Sequence, residues 1–436
     1  MLTIEAIQAH IQADANERAR RAKLYDYYRG RHDILRRQMQ DASKPNNRLC
    51  HGFPQLIANA YAGYMFGEPI SYTGDDAMLE AANDVFRYND EQAVNATLGL
   101  DCAICGSAVE LLYIDRDAEV RFARVNPVGC IAIYDDTIEH ALTDLIRYYE
   151  TYDVVKRTST GHVEVYDAEA VRYFDCGGGF MGSGALHLVR EEPHAWGDVP
   201  AVVYRNNMDG LGDFEAVLSL IDAYDLMQSE AINDQEYFSD AYLKMHGIGQ
   251  LTSEDVAIMK QNRVLLMPND ADADWLIKQQ SDTLPENIKN RLNSDIHRFS
   301  GCPDMTDEHF ANNASGVAIR YKLLQFENIA SIKEREFKRG LQRRLELLCN
   351  IWRVIGRGNF DWRDLQISFK RAMPQNLNEI AQAVGQLGEI ISDETKRTLL
   401  PLDIDEETER GRLAEEMAQK TAIYAPQEVF EQTDEI

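Results

Sequence analysis

Between Ser315 and Ile355, apolar side chains recur at helical spacing through Val317, Tyr321, Leu324, Ile329, Phe337, Leu341, Leu345, Leu348, Trp352 and Ile355. The run contains no proline, and Ser315 is a suitable N-cap. At roughly 1.5 Å per residue it would span about 60 Å, well beyond an ordinary globular helix. A chain with such an element has to be built around it. The pattern predicts a structural strut bent at Gly340, where a glycine also permits a hinge, in preference to two helices joined there.

The residues leading into the strut follow a distinctive order. Phe214, Val217, Leu218, Ile221 and Tyr224 predict a helix over 213–238, capped by Asp213. Short strands are expected at Ala241–Met245, Val264–Met267 and Trp275–Lys278. A second helix follows near Pro285–Phe299, then a polar loop over Gly301–Ala314. Helix, small β module, helix, loop and strut read as a machine part more than as an active site.

Upstream, Leu2–Met39 is predicted as one helix with Arg18, Arg20, Arg21 and Lys23 on its polar side, ending near Lys44-Pro45-Asn46-Asn47. Helices are expected from Gly52 or Phe53 to Phe66, over Asp75–Arg87 and over Asp90–Gly106, with a strand at Ile70–Thr73. From Ala108 to Tyr204 the period changes to two, predicting an antiparallel β region with hairpin turns at Asp115–Asp117 and Cys176–Gly179.

Composition narrows the function. A chain of 436 residues with 44% apolar content can bury a large core. No apolar run is long enough for a membrane span, and the first residues lack a signal-peptide layout, so synthesis and action in a cytoplasm are expected. The seven cysteines are scattered, which fits reduced thiols. The net charge of −27 comes from 45 Lys and Arg against 72 Asp and Glu, so the chain as a whole is not built to grip DNA through phosphate neutralisation. Basic residues nevertheless gather at Ala19–Arg48 and Lys333–Arg353, while Pro401–Ile436 is acidic. The strut's basic run is expected to meet acidic surfaces of a neighbouring copy.

Catalytic motifs are sparse. No Gly-x-x-x-x-Gly-Lys-Ser/Thr segment is present, so energy for any transport would come from another protein. Cys102 and Cys105 lie in an apolar helical stretch without a second pair, and core packing is the expectation for both. The glycine-rich run from Cys176 to Gly184 lies between strands and reads as a hairpin tip. Asp304, Asp307 and Glu308 beside His309 could hold a divalent cation in a nuclease, but no second acidic cluster completes a two-metal site. No cofactor is expected.

Several ordered pieces resemble the portal proteins of tailed bacteriophages, of the long-tailed siphophage type: Tyr27-Tyr28-Arg29-Gly30-Arg31-His32 with Asn46-Asn47-Arg48, then Tyr64-Met65-Phe66-Gly67-Glu68-Pro69-Ile70. Asn206-Asn207 leads through Gly212-Asp213-Phe214-Glu215 into Leu220-Ile221-Asp222-Ala223-Tyr224. Asn312-Asn313-Ala314-Ser315-Gly316-Val317-Ala318 and Lys333-Glu334 with Phe337 complete the set.

The resemblance implies an α+β portal fold with an elongated, multi-part subunit. Residues 1–212 would form the wing, 213–238 and 283–300 the stem helices, 239–282 the clip and 301–314 the tunnel loop. Residues 315–371 would be the strut and a return strand, and 372–436 the crown and tail. It further implies a ring, usually of twelve copies, at one capsid vertex of the virion, assembled in the host cytoplasm. Double-stranded DNA would pass through this ring non-specifically, during packaging and again during ejection. The implied partners are the terminase large subunit, head-tail adaptors, and the major capsid and scaffolding proteins, with no membrane.

A channel that lets duplex DNA slide needs weak, evenly spread contacts, because DNA carries about one charge per 1.7 Å. Charge on the wall is felt only within about 8 Å at physiological salt. The candidates for light phosphate contact are Lys289, Arg291 and Arg298 on the second stem helix and His309, Asn312 and Asn313 in the loop, where Asp304 is also expected to line the channel. A metal-dependent DNA-processing enzyme of a mobile element is the alternative.

Overall fold

The computed structural model describes residues 2–41, 44–180, 185–239, 242–246, 252, 272–276, 283–304, 321–372, 382, 384–386 and 410–417. The chain divides into two compact units, Met1–Ala372 and Met373–Ile436. In the second, residues 410–417 are helical.

The N-terminal region forms two helices where the sequence predicts one: α1 (Ile4–Ala13) and α2 (Ala15–Tyr28). Asp14 separates them, and its carboxylate is taken by Arg21 and by the Tyr148 hydroxyl, 2.8 Å away. Helix α2 ends before Gly30, whose φ of 74° is left-handed, and only a 3₁₀ turn at Asp33–Arg36 follows. Helix α3 (Phe53–Phe66) has its proline in the first turn. Helix α4 (Asp76–Asn89) is capped by the Asp75 carboxylate, and α5 (Glu91–Cys105) ends at Gly106 with φ 86°.

The β region resolves into two antiparallel sheets. One has the order β3-β2-β9, from β2 (Ser107–Ile114), β3 (Val120–Val125) and β9 (Ala201–Arg205). The other runs β4-β5-β6-β7-β8 in sequence order: Cys130–Tyr134, Leu142–Asp153, Thr158–Tyr166, Ala170–Gly177 and Leu186–Pro193. The predicted turn after Ile114 is real. Asp115 Oδ1 accepts from the Asp117 and Glu119 amides, both at 3.0 Å, and Ala118 takes φ 61°. Val109, Leu111, Leu145, Tyr166 and Ala201 fill the space between the sheets, while Ile7 of α1 packs with Ile146, Val163 and Phe174 on the larger one.

Helix α6 (Leu218–Ser239) follows a 3₁₀ turn at Glu215–Val217. Strands β10 (Tyr242–His246) and β11 (Asp272–Leu276) pair antiparallel, and α7 (Thr283–Ser300) returns. Of the three strands predicted for this β module, the first is present one residue later, the third overlaps β11 only at Trp275 and Leu276, and Val264–Met267 lies outside the described residues. Ile296, late in α7, shares a buried cluster with Ile221 in the first turn of α6 and with Phe214 and Val217 just before it, so the two helices run in opposite directions.

The strut appears as α8 (Leu324–Ile355), 32 residues without interruption at Gly340. Its expected start at Ser315 lies outside the described residues. The return strand β12 (Leu365–Ser368) pairs with β1 (Ser71–Gly74) across almost the full unit in sequence. Phe337, Leu341, Leu345, Leu348 and Trp352 of α8 bury their side chains against α4, α5 and the three-stranded sheet. Such a face, rather than intrinsic propensity, is what stabilises a helix of this length.

An extended segment lies along α6. The Asn47 amide donates to Asn233 Oδ1 (2.7 Å), the Leu49 amide to Ser229 Oγ (3.0 Å) and the His51 amide to Asp225 Oδ1 (2.9 Å). Asn47 Nδ2 adds a bond to Glu236 at 2.8 Å. Alternate residues of the strap thus meet successive turns of the helix, since residues four apart share one helical face.

Candidate functional site

Helix α7 presents one polar stripe. Asn287, Arg291, Ser294 and Arg298 are all exposed, and their spacing of four, three and four residues keeps them within an arc of about 60°. Arg291 is 84% exposed at its side chain, with only a loose 3.8 Å approach to Asp295. Arg298 lies 6.0 Å from the centre of the Phe299 ring. No carboxylate interrupts the stripe, and α6 carries neither Lys nor Arg. Lys289 is not on this face: it projects from nearly the opposite side and pairs with Glu286 at 3.0 Å. Beside the stripe, Ile288 and Phe299 are exposed apolar residues, and eleven residues apart they share a flank.

The end of α7 is heavily anchored. Gln325 Nε2 donates to the Arg298 carbonyl (3.3 Å) and the Tyr61 hydroxyl to the Ser300 carbonyl (3.1 Å). His297 Nδ1 lies 3.0 Å from the Cys302 carbonyl, and the Cys302 amide donates to Ser300 Oγ (3.3 Å). The first two contacts fill carbonyls that any helix C-terminus leaves open, and the other two tie the residues just beyond the helix back to it. Asn293 reaches Asp304 Oδ2 at 3.4 Å, so the one described loop candidate lies beside the polar helix. His309, Asn312 and Asn313 lie outside the described residues, as do Asp307 and Glu308.

Gly340 has a packing reason for being glycine. It is buried in α8 against the Tyr204 ring, and an added β-carbon would sit 2.3 Å from Tyr204 Cδ1. One turn later, Arg344 is fully buried. Its Nε and Nη2 donate to Glu110 at 2.9 and 2.8 Å, its Nη1 to Glu91 at 3.1 Å, and Nη2 also to Asn95 at 2.8 Å. The Tyr204 hydroxyl completes the set on Glu110 at 2.9 Å.

The expectation that the basic strut faces a neighbour is corrected here for Lys333 and Arg344, while Arg335 and Arg339 are exposed. Lys333 is 6% exposed at its side chain and bonded to Asp213, Arg344 is buried, and Arg343 pairs with Asp198 (2.8 Å) and Glu346 (2.7 Å). Strut cations chiefly fasten α8 to its own subunit, because a buried charge must find a partner. Sequence reasoning missed this because the carboxylates that hold Lys333 and Arg344 lie 120 to 253 residues away along the chain.

Among the described residues, His32, Cys50 and Asp225 bring ligand atoms within 4.8 Å of one another. They do not read as a metal centre. Asp225 Oδ1 already accepts from the His51 amide and lies 2.7 Å from His51 Nδ1, and Oδ2 lies 2.5 Å from His32 Nδ1. Burial pushes the Cys50 thiol above its ordinary pKa, which disfavours a thiolate ligand. The cluster fastens the strap to α6. The Cys102 and Cys105 side chains are likewise buried, as expected for core residues.

Comparison with known proteins turns this arrangement into an identity. The family model described as phage portal protein, SPP1 Gp6-like, matches residues 7–421. The chain belongs to this phage portal family. The portal protein of Bacillus phage SPP1 is 25% identical over 406 residues, covering 89% of this chain and 80% of that protein. The portal protein of Clostridium phage phiCD119 is 25% identical over 451 residues, covering 97% of this chain and 98% of its own length. The mixed helix and sheet content of this portal-family subunit agrees with the predicted fold class. Among its described residues no helix is long and apolar enough to cross a membrane.

Proposed function

We propose that the chain forms a closed ring at one capsid vertex through which double-stranded DNA is packaged and later ejected. The observation that carries this reading is the stripe Asn287, Arg291, Ser294 and Arg298 on α7, next to the anchored root of the 301–314 segment. Two arginines spaced by neutral polar groups give brief phosphate contact without a basic wall that would hold the duplex. In this reading α6 and α7 are the stem, β10 and β11 belong to the clip, the unit up to residue 212 is the wing, and residues 372–436 include the crown. Ile288 and Phe299 on the flank of the stripe supply apolar contact to the next copy in the ring, a heterologous interface that closes by rotation.

The subunit acts as structure and conduit, not as an enzyme. A terminase would supply the energy for packaging, and head-tail adaptors, scaffolding and major capsid proteins would dock on the ring. Negative-stain electron microscopy of the purified protein tests the first step. Closed rings with a central hole are expected, whereas dispersed monomers even with capsid and scaffolding protein present would overturn the proposal. Replacing residues 305–314 with alanine should lower DNA per particle while leaving rings intact.

A further inference from the structure

The chain leaves α7 and enters α8 at one buried side chain that belongs to neither helix. Tyr61 of α3 is completely buried. Its hydroxyl caps the Ser300 carbonyl at 3.1 Å, and its ring stacks on Phe326 in the first turn of α8, centroids 4.3 Å apart. Lys333, held by Asp213, places its ammonium 4.3 Å from the centre of the same ring. Gly301 fits between the two roots with φ 68°. A β-carbon there would lie 2.4 Å from Ile329 Cδ1 and 3.1 Å from the Tyr61 oxygen.

We infer that Tyr61 is the positioning residue for the segment between α7 and α8, locking its outgoing root at Ser300–Gly301 to its incoming root at Phe326. The inference rests on the reading of residues 301–314 as the channel loop. Its logic is that of an unfilled helix terminus. The last carbonyls of α7 need donors, and these come from α8 through Gln325 and from α3 through Tyr61, so the helix end is pinned to two other elements. Burial first, and then the nearby Asp213 carboxylate, raises the Tyr61 phenol above its ordinary pKa, which keeps it a donor. The Lys333–Asp213 pair ties the same ring to the segment just before the 3₁₀ turn that leads into α6. A shift of the strut therefore reaches the loop root through the Tyr61 ring as well as through Gln325.

The test uses the full-length chain with Tyr61→Phe, which keeps the stack and removes the donor. Rings should still form. Alkylation of Cys302, buried beside the root, should run roughly fivefold faster, the change in local opening expected from one lost buried hydrogen bond, while Cys130 and Cys176 stay unchanged. DNA per particle should fall. Should Tyr61→Phe disturb ring formation, Gln325→Ala removes the companion contact at Arg298 and should move Cys302 in the same direction by a smaller factor.

An unchanged Cys302 rate overturns the positioning role. Faster Cys302 with normal DNA content overturns its importance for passage, provided that alanine at 305–314 lowers DNA content. If the alanine replacement also leaves packaging normal, the channel-loop reading is the one that has failed.

Discussion

Gly340 and Tyr204 meet so closely that the strut has no room for even a methyl group at that turn: the added carbon would lie 2.3 Å from the ring. Gly340→Ala gains about 1 kcal/mol of helix propensity, yet overpacking a core contact typically costs about 1–3 kcal/mol. The net effect should be a lower thermal midpoint. A midpoint equal to or above that of the parent would show that the ring moves aside freely and that the contact does not require glycine.

Arg344 is the strongest single fastening of the strut. Arg344→Ala strands Glu110 and Glu91 in the core, and removing one partner of a buried ion pair commonly costs about 3–5 kcal/mol. Arg339→Ala is the control. Arg339 is 75% exposed at its side chain and pairs only with Glu336 one turn away, so its loss should be barely measurable. Denaturant titration of the two variants separates them, and similar midpoints would contradict the network.

Asp225 organises the strap. In Asp225→Ala, the His51 amide loses its acceptor and both histidines lose their shared carboxylate. Hydrogen exchange should quicken at His51 and Leu49 before it does in α6 itself. Exchange that quickens equally along the whole subunit would mean that the strap is no separate unit.

The thiols yield a prediction about reactivity. Burial pushes Cys130, Cys302 and Cys349 up to about 12 and Cys105 up to about 11. Six of the seven cysteines are buried, and only Cys50 is partly exposed. Because the thiolate is the reacting form, alkylation near neutral pH should label Cys50 first and leave the others largely intact. Rapid labelling of Cys302 or Cys130 in the folded parent would contradict the packing described.

If Arg291 and Arg298 touch DNA, replacing both with glutamine should leave ring formation intact and make DNA uptake less sensitive to salt, since each phosphate contact contributes to the salt slope. Packaging assays at several ionic strengths read this directly. An unchanged salt dependence would remove the stripe from the channel wall.

Period and punctuation made most elements legible. Phe53–Phe66 follows its proline and glycine signals, and the alternation from Val109 onward becomes strands paired in register. The split at Asp14 was not legible, because it depends on Arg21 and Tyr148 drawing that carboxylate away. Tertiary partners also decide which charges are free. Spacing around the helix already separates Lys289 from Arg291 and Arg298, although the three are grouped together as candidates, whereas Lys333 and Arg344 needed acceptors from distant segments. Long-range pairing leaves no local mark in a single sequence.

The strap on α6 works as a vernier. Two residues of extended chain advance about 6.7 Å, while four residues of helix rise about 6.0 Å, so every rung slips by about 0.7 Å. Between His51 on Asp225 and Asn47 on Asn233 the error is small enough for side chains to absorb. A few rungs more and donors would face the gaps between helical turns. The two scales thus set a ceiling on how far such a segment can follow a helix, and inserting or deleting a single residue within 47–51 would displace the whole reading at once.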